Sequence, residues 1–150
     1  MLKKLTLLSM SVFLFACASV PPQKDFEEKK NTDSSNFKFV SYDNEIVSAE
    51  TDTQNYYKIF IDKKYSGSTN VALRSQKKKF EAKLIEDRHL LRVERYIYHE
   101  SLKTWSMDEA LRQPDYLYFD IQKKRRTVVT LEYSKDGAAK KFVVTYEPIE

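Results

Sequence analysis

The sequence predicts an all-β domain, mainly antiparallel and packed as a β-sandwich. Apolar and polar residues alternate in several segments between residues 56 and 146, and this period of two is typical of strands with one buried face. The segments are short, and polar connections separate them. Several short strands with polar turns indicate two packed sheets rather than a helical or mixed architecture.

Five segments show the alternation, and in each of them one side is apolar and the other mixed. Strands of this kind pair in antiparallel sheets, with one face on the core and one face in water. In chain order, their more apolar sides are formed by Tyr57, Ile59 and Ile61; by Leu91, Val93 and Ile97, with Arg95 between them; by Leu117, Phe119 and Ile121; by Val129, Leu131 and Tyr133; and by Phe142, Val144 and Tyr146.

Three connections have recognisable turn or helix signals. Asp136-Gly137 lies between the last two strands, and Asp-Gly supplies the positive φ angles that a tight hairpin turn requires. The run Lys123 to Arg126 separates two other strands and is predicted to form a second hairpin tip. Ser106 followed by Glu109 has the spacing of a capping box, which predicts a short helix over residues 107–112.

The N-terminal residues indicate export. Lys3 and Lys4 precede an apolar run from Leu5 to Ala16. A positive region followed by about a dozen apolar residues is typical of a secretory signal peptide, and such a run is too short to cross a hydrocarbon core of roughly 30 Å as a helix. We therefore expect residues 1–16 to be removed.

The residues Leu14 to Cys17 resemble the lipobox of bacterial lipoproteins. The resemblance implies that Cys17 is acylated on sulfur, becomes the new N-terminus and holds the mature chain on a membrane, for which about two lipid signals suffice. An ordinary signal peptide cut elsewhere, with Cys17 left as a free thiol, is the alternative. Ala18 stands where the inner-membrane retention signal of Gram-negative lipoproteins is usually Asp, which implies the outer membrane in a Gram-negative source.

The mature chain is predicted to contain a tether and one domain. Residues 17–36 include Pro21-Pro22 and almost no apolar residue after Phe26, so they are expected to form a flexible tether. Residues 37–150 are long enough for a single domain with its own core. No second cysteine follows Cys17, so the domain folds without an internal disulfide.

The charge balance argues against a nucleic-acid partner. Removal of Lys3 and Lys4 lowers the 26 basic side chains to 24, against 22 acidic ones, so the mature net charge is +2. This balance is far from the strongly basic surface that binds a polyanion.

The segment from Tyr56 to Tyr98 resembles PEGA-type modules, which are small extracellular β-domains of bacterial surface proteins. The resemblance rests on the turn Asp62-Lys63-Lys64, on Gly67 and on His89 before a later strand. It implies an immunoglobulin-like or PEGA-like sandwich in a surface context. Because Asp62 and Gly67 lie where a strand run breaks, we expect a backbone role for Gly67 and hydrogen bonds from turn amides to Asp62.

No catalytic, metal or cofactor motif is present. His89 and His99 lack any accompanying HExxH, CxxC or carboxylate cluster, and they are predicted to be polar residues at strand ends; local pairing of His99 with Glu100 is the alternative. Glycine occurs only at Gly67 and Gly137, which excludes a GxSxG elbow and a phosphate-binding glycine loop. The sequence therefore predicts a protein that is not an enzyme and carries no metal or cofactor.

Aromatic and basic residues form the two candidate binding surfaces. The first is a possible partner surface, because residues two apart share a strand face and tyrosine offers a large contact area; cross-strand packing is its alternative. The second is a possible contact for anionic ligands, for which solvated hairpin tips are the alternative. The partner surface is Tyr96, Tyr98, Trp105, Tyr116 and Tyr118, and the basic cluster is Lys123, Lys124, Arg125 and Arg126.

Three hypotheses for function follow. In the first, the protein is a membrane-anchored bacterial lipoprotein that serves as a non-catalytic accessory subunit of an envelope protein complex, with the tyrosines as its contact surface. In the second, it binds an anionic envelope glycan or lipid head group through the basic cluster. In the third, it is an enzyme whose site is assembled from residues distant in sequence.

Overall fold

The computed structural model describes residues 35–43, 46, 48–108, 116–133 and 139–149. The predicted signal peptide, Cys17 and most of the predicted tether lie outside the described residues, as does the Asp136-Gly137 turn. The described part of the chain contains ten strands and no helix. These strands are β1 (Phe37–Ser41), β2 (Gln54–Ile61), β3 (Lys64–Ser68), β4 (Ala72–Leu73), β5 (Lys78–Ala82), β6 (Arg88–His99), β7 (Thr104–Met107), β8 (Leu117–Asp120), β9 (Arg125–Tyr133) and β10 (Ala139–Pro148).

The strands form two sheets, which confirms the predicted β-sandwich. One sheet has four strands in the order β10-β9-β1-β5, and its β1–β9 pair is parallel. The other has six strands around the antiparallel pair β2–β6, with β3 and β4 paired to β2 and with β7 and β8 paired to β6. All pairs other than β1–β9 are antiparallel.

The core lies between the inner faces of the two sheets. The Phe37 ring of β1 lies 4.8 Å from the Phe119 ring of β8, and the Phe39 ring lies 5.6 Å from the Tyr57 ring of β2. Burying side chains of this size contributes about 1.5–3 kcal/mol each. The buried core residues are Phe37, Phe39, Tyr57, Ile59, Ile61, Leu91, Val93, Phe119, Ile121, Val129 and Leu131.

The packed part of the described chain begins at Ser35, two residues before the predicted start of the domain. Ser35 is buried. The Asn36 side-chain amide donates to the Leu84 carbonyl at 2.8 Å and its oxygen accepts from the Leu84 amide at 2.8 Å. These two residues, which the sequence places in the tether, are therefore fixed on the domain.

The prediction of a helix near residues 107–112 is wrong at its start. Ser106 and Met107 belong to β7, where they pair with Ile97 and Tyr96 of β6. The free edge of β6 and the packing of Trp105 on that sheet outweigh the local capping signal. Residues 109–112 lie outside the described residues.

The prediction of a hairpin tip at Lys123 to Arg126 is also wrong. β8 belongs to the six-stranded sheet and β9 to the four-stranded sheet, so this segment crosses between the sheets. The two edges of β9 are occupied by β1 and β10, which leaves no edge for β8. Only Lys123 and Lys124 lie in the connecting turn, and Arg125 and Arg126 begin β9.

The β2–β3 hairpin shows what the predicted turn residues do. Asp62 and Lys63 have φ angles of 52° and 67°, and two positive values in succession are those of a type I′ turn. Gly67 has a φ of 141°, and a Cβ there would lie 2.7 Å from the Phe80 ring, so its backbone role is confirmed. The Asp62 carboxylate accepts from the Leu90 amide at 2.9 Å, so it ties the hairpin to β6 rather than to turn amides.

Candidate functional site

The outward face of the six-stranded sheet brings the predicted aromatic residues together. Since side chains alternate along a strand, Tyr57 and Ile59 face the core while Tyr56, Lys58 and Phe60 face outward. We call this surface the aromatic face. Its principal residues are Tyr56, Lys58, Phe60, Tyr65, Leu90, Arg92, Glu94, Tyr96, Tyr98, Trp105, Tyr116 and Tyr118.

At one end of the aromatic face, four rings pack on one another. The Tyr56 and Tyr96 rings are cross-strand neighbours that stack at 5.2 Å, and the Trp105 ring lies 5.0 Å from Tyr56 and 5.1 Å from Tyr98. Aromatic pairs of this geometry contribute about 0.5–1.5 kcal/mol beyond burial. All four side chains remain partly accessible, so the rings stabilise the sheet and still present a surface.

At the other end of the aromatic face, two tyrosines are far more exposed. Tyr116 and Tyr118 are 62% and 55% exposed, and their rings lie 6.2 Å apart. Together with Lys63, Leu90 and Arg92 they line an open cavity of about 450 Å³. This cavity combines apolar ring surface, two phenol hydroxyls and two cations.

Cations lie along the aromatic face on the rings themselves. The Lys58 ammonium is 4.2 Å from the Tyr96 ring, the Arg92 guanidinium is 4.4 Å from Phe60, and the Arg88 guanidinium is 5.0 Å from Tyr118.

Electrostatic contacts hold two of these cations in place. Burial lowers the pKa of Lys58, but the hydrogen bond with Tyr96 and the charge interactions with Tyr96, Tyr56 and Glu94 together outweigh it and leave the pKa above the usual value. The Arg92 guanidinium also pairs with Glu94 at 2.8 Å. The aromatic face is therefore a surface of ordered rings and ordered positive charge.

The structure distinguishes the two interpretations of the predicted tyrosine pairs. Tyr96, Tyr98 and Trp105 take part in cross-strand packing, whereas Tyr116 and Tyr118 remain mostly in solvent. None of the five predicted aromatic residues belongs to the core. Sequence reasoning missed Tyr56 and Phe60, although their alternation with Tyr57 and Ile59 was the available signal.

The predicted basic cluster lies away from the aromatic face. Lys123, Lys124 and Arg125 are exposed. Arg126 is half-buried, and its Nε donates to the Ser35 carbonyl at 3.2 Å. Three of the four predicted contacts are thus accessible to an anionic ligand, and the fourth holds the start of the domain.

The two histidines lie at the two ends of β6, as predicted for strand-end residues. His89 is buried between Asp62, whose Oδ2 is 2.7 Å from Nδ1, and the Ile85 carbonyl, which is 3.1 Å from Nε2. Burial lowers the pKa of His89, but the hydrogen bonds with the Asp62 carboxylate and the Ile85 carbonyl, together with the negative charges of Asp62 and Asp87, outweigh it and leave the pKa raised. His99 is exposed, and its Nε2 is 2.6 Å from the Ser106 hydroxyl.

A buried polar cluster occupies the interior near the far half of β6. Arg95 is fully buried and forms an ion pair with Asp108, in which Nε donates at 2.9 Å. Its guanidinium also lies 5.5 Å from the Tyr133 ring.

Lys78 is the second fully buried cation. Its ammonium donates to three backbone carbonyls, those of Leu73, Arg74 and Gln76, at 2.7, 3.1 and 2.7 Å. Burial lowers its pKa to about 8. Since all three ammonium protons are used within the protein, we interpret Lys78 as a structural residue that holds the loop before β5.

Within the described ranges, no group of three or more His, Cys, Asp or Glu side chains is placed to hold a metal ion. Among the same residues, no helix has the length and apolarity to cross a bilayer. Comparison of the chain with family models, with curated proteins and with solved structures finds no match.

Proposed function

We propose that this protein is a membrane-anchored bacterial lipoprotein that acts as a non-catalytic binding component of the cell envelope. In this proposal Cys17 carries the lipid, and the aromatic face of the sandwich docks a partner protein as part of an envelope complex. The observation that carries the proposal is the pair of exposed tyrosines, Tyr116 and Tyr118, beside an ordered aromatic cluster on the same sheet face.

The composition of the aromatic face supports a protein contact. The outward face of a sandwich sheet needs only polar residues to remain soluble, and large exposed apolar patches mark interaction sites. Tyrosine, tryptophan and arginine are the residues most enriched at the centres of protein interfaces. The aromatic face has all three, in Tyr118, Trp105 and Arg92.

The charges of the aromatic face indicate the chemistry of the partner. Lys63 and Arg92 border the cavity beside Tyr116 and Tyr118, and Arg88 lies on the Tyr118 ring. A partner segment with an acidic side chain flanked by apolar ones complements this arrangement. Such complementarity raises the association rate and selects against basic partners.

The location rests on the N-terminal sequence. The lipobox-like residues Leu14 to Cys17 support lipid attachment, and Ala18 supports the outer membrane in a Gram-negative cell. With the anchor at Cys17, partner and domain share one membrane surface, which raises their effective concentration.

The test is capture of the lipidated protein after cross-linking in intact cells, followed by mass spectrometry of the attached proteins. In the double variant Tyr116→Ala, Tyr118→Ala we expect a stoichiometric partner to be lost, with little change in melting temperature. The matched control is Tyr146→Ala, an accessible tyrosine of the four-stranded sheet, which should keep the partner. Retention of the partner by the double variant would contradict the proposal.

A further inference from the structure

We infer that one end of the sandwich rests on the surface of an anionic bilayer, with Ile85 inserted between lipid head groups and lysines around it. We call this the Ile85 end. It is formed by residues 35–36, the turn at 62–63, the loop 83–87 and the crossing 121–124. The inference rests on the lipid anchor of the proposed function and adds how the domain is oriented on the membrane.

Backbone hydrogen bonds join these segments into one end. The Asn36 amide donates to the Ala82 carbonyl at 3.2 Å, and the Asn36 carbonyl accepts from the Thr127 amide at 2.8 Å. The Ile121 amide donates to the Asp87 carbonyl at 2.9 Å. The chain that leads from Cys17 therefore reaches the domain at this end.

Ile85 is the most exposed large apolar residue of the described chain, at 72%. Its exposure is not a consequence of a loosely held loop. Both the amide and the carbonyl of the preceding residue, Leu84, form hydrogen bonds of 2.8 Å with the Asn36 side chain. The Ile85 carbonyl forms a hydrogen bond with the ring of the buried His89. The loop is fixed with Leu84 packed against the core and Ile85 in solvent.

Lysines occur in three of the four segments that form the Ile85 end: the turn at 62–63, the loop 83–87 and the crossing 121–124. Lys63, Lys83, Lys123 and Lys124 are exposed, and none of them forms an ion pair with a described carboxylate within 4.0 Å.

The nearby carboxylates are partly engaged by the protein. Asp62 bonds to His89 and to the Leu90 amide, and Asp87 accepts from the Arg88 amide at 2.7 Å. Glu86, next to Ile85, is exposed. Ile149 adds a second accessible apolar side chain, and its amide donates to the Lys124 carbonyl at 3.2 Å.

An exposed isoleucine with lysines around it has the chemistry of a bilayer contact, because apolar side chains enter the head-group region and cations attract anionic lipids. The point at which the chain from Cys17 enters the domain also favours a bilayer. Seventeen residues separate Cys17 from Ser35. Because the chain from Cys17 enters the domain at Ser35, which belongs to the Ile85 end, a lipid on Cys17 attaches the domain to the membrane through this end.

The sequence offers a direct test with a matched control. Because Cys17 is the only cysteine and is acylated in the lipidated chain, Ile85→Cys supplies a single thiol for an environment-sensitive fluorophore such as NBD. Leu102→Cys is the control, since Leu102 is 71% exposed and lies in the turn after the opposite end of β6. Both full-length lipidated variants are reconstituted into vesicles that contain phosphatidylglycerol.

We expect the emission maximum of the label at position 85 to shift to shorter wavelength. Lipids that carry a quencher should quench this label at a depth of about 5–10 Å, in the head-group boundary. The label at position 102 should remain in water. We also combine Ile85→Cys with the three substitutions Lys83→Gln, Lys123→Gln and Lys124→Gln. In this variant the emission shift at position 85 should fall towards the value measured in phosphatidylcholine vesicles.

Two results would overturn the inference while the anchor stands: protein that floats with the vesicles while position 85 stays in water, or equal shifts at both positions. Protein that does not float with vesicles at all would overturn the anchor and with it this inference. Flotation thus separates failure of the proposed function from failure of the orientation.

Discussion

The two faces of the six-stranded sheet are built from the same strands and contain similar residue types, yet they have different surroundings. On the inner face, Tyr57 and Arg95 are sealed under the four-stranded sheet. On the outer face, Tyr96 and Arg92 stack on neighbouring side chains in contact with solvent. The core is complete without the outer aromatic residues, so packing of the core does not account for their presence on the outer face.

The largest difference between the faces is expected for the two arginines of β6. Arg95→Ala leaves the buried Asp108 carboxylate without its cation, which should lower the free energy of unfolding by about 3–5 kcal/mol. Arg92→Ala removes an exposed pair with Glu94 and should cost less than about 1 kcal/mol. Urea unfolding of both variants measures the difference, and equal losses would contradict the contrast between the faces.

A similar contrast is expected for apolar surface. Ile59→Ala creates a cavity in the core and should lower the free energy of unfolding by about 2–5 kcal/mol. Tyr118→Ala removes a ring that is mostly in solvent and should change it by no more than about 0.5 kcal/mol. If Tyr118→Ala destabilised the domain as much as Ile59→Ala, the tyrosine would be part of the fold and the binding proposal would lose its basis.

Buried Lys78 provides a test by pH. Its pKa is lowered to about 8, whereas a lysine of the unfolded chain has a pKa of about 10.4. Between these values the unfolded chain holds more protons on this residue, so its contribution to the free energy of unfolding rises with pH, by at most about 1.4 kcal/mol per pH unit.

The free energy of unfolding of the wild type, measured relative to that of Lys78→Met, should therefore be higher at pH 10 than at pH 8. The neighbouring Lys79→Met, at an exposed position, is the control for the loss of a lysine from β5. A pH-independent difference for Lys78→Met would show that the buried ammonium keeps an ordinary pKa.

A small effect is expected for a cation on the aromatic face. Lys58→Met removes the ammonium that lies 4.2 Å from the Tyr96 ring and should cost about 0.5–1 kcal/mol. Thermal unfolding against wild type measures it. A loss as large as that of Ile59→Ala would mean that the outer face stabilises the fold as strongly as the core.

Much of the fold could be predicted from the sequence because alternation is a local signal. The predicted strands around Ile59, Val93, Phe119, Leu131 and Val144 all coincide with described strands. The sequence did not predict β5, because the buried residue of this strand is Lys78, a cation rather than an apolar residue. Its ammonium is satisfied by backbone carbonyls of the preceding loop, and alternation of apolar residues does not reveal such a contact. The parallel β1–β9 pair and the crossing at 121–124 depend on contacts between distant residues, which periodicity does not encode.

The candidate site could be predicted in part for the same reason. The alternation along each strand placed Tyr96 with Tyr98 and Tyr116 with Tyr118. It did not show that the pairing of β8 with β6 brings both pairs to the same face of one sheet. The capping signal at Ser106 gave a wrong prediction because this segment pairs with the edge of β6, a contact between strands that the local signal does not encode. Ile85 carried no sequence signal, since its exposure results from bonds made by Asn36 and His89.

The central claim is that the aromatic face is a binding surface, and photo-cross-linking in living cells tests it most directly. Benzoylphenylalanine is placed at Tyr118 of the aromatic face and, as the matched position, at Tyr146 of the four-stranded sheet. We expect a covalent adduct with one envelope protein at position 118 and none with that protein at position 146. Absence of an adduct at position 118, or the same adduct at both positions, would contradict it.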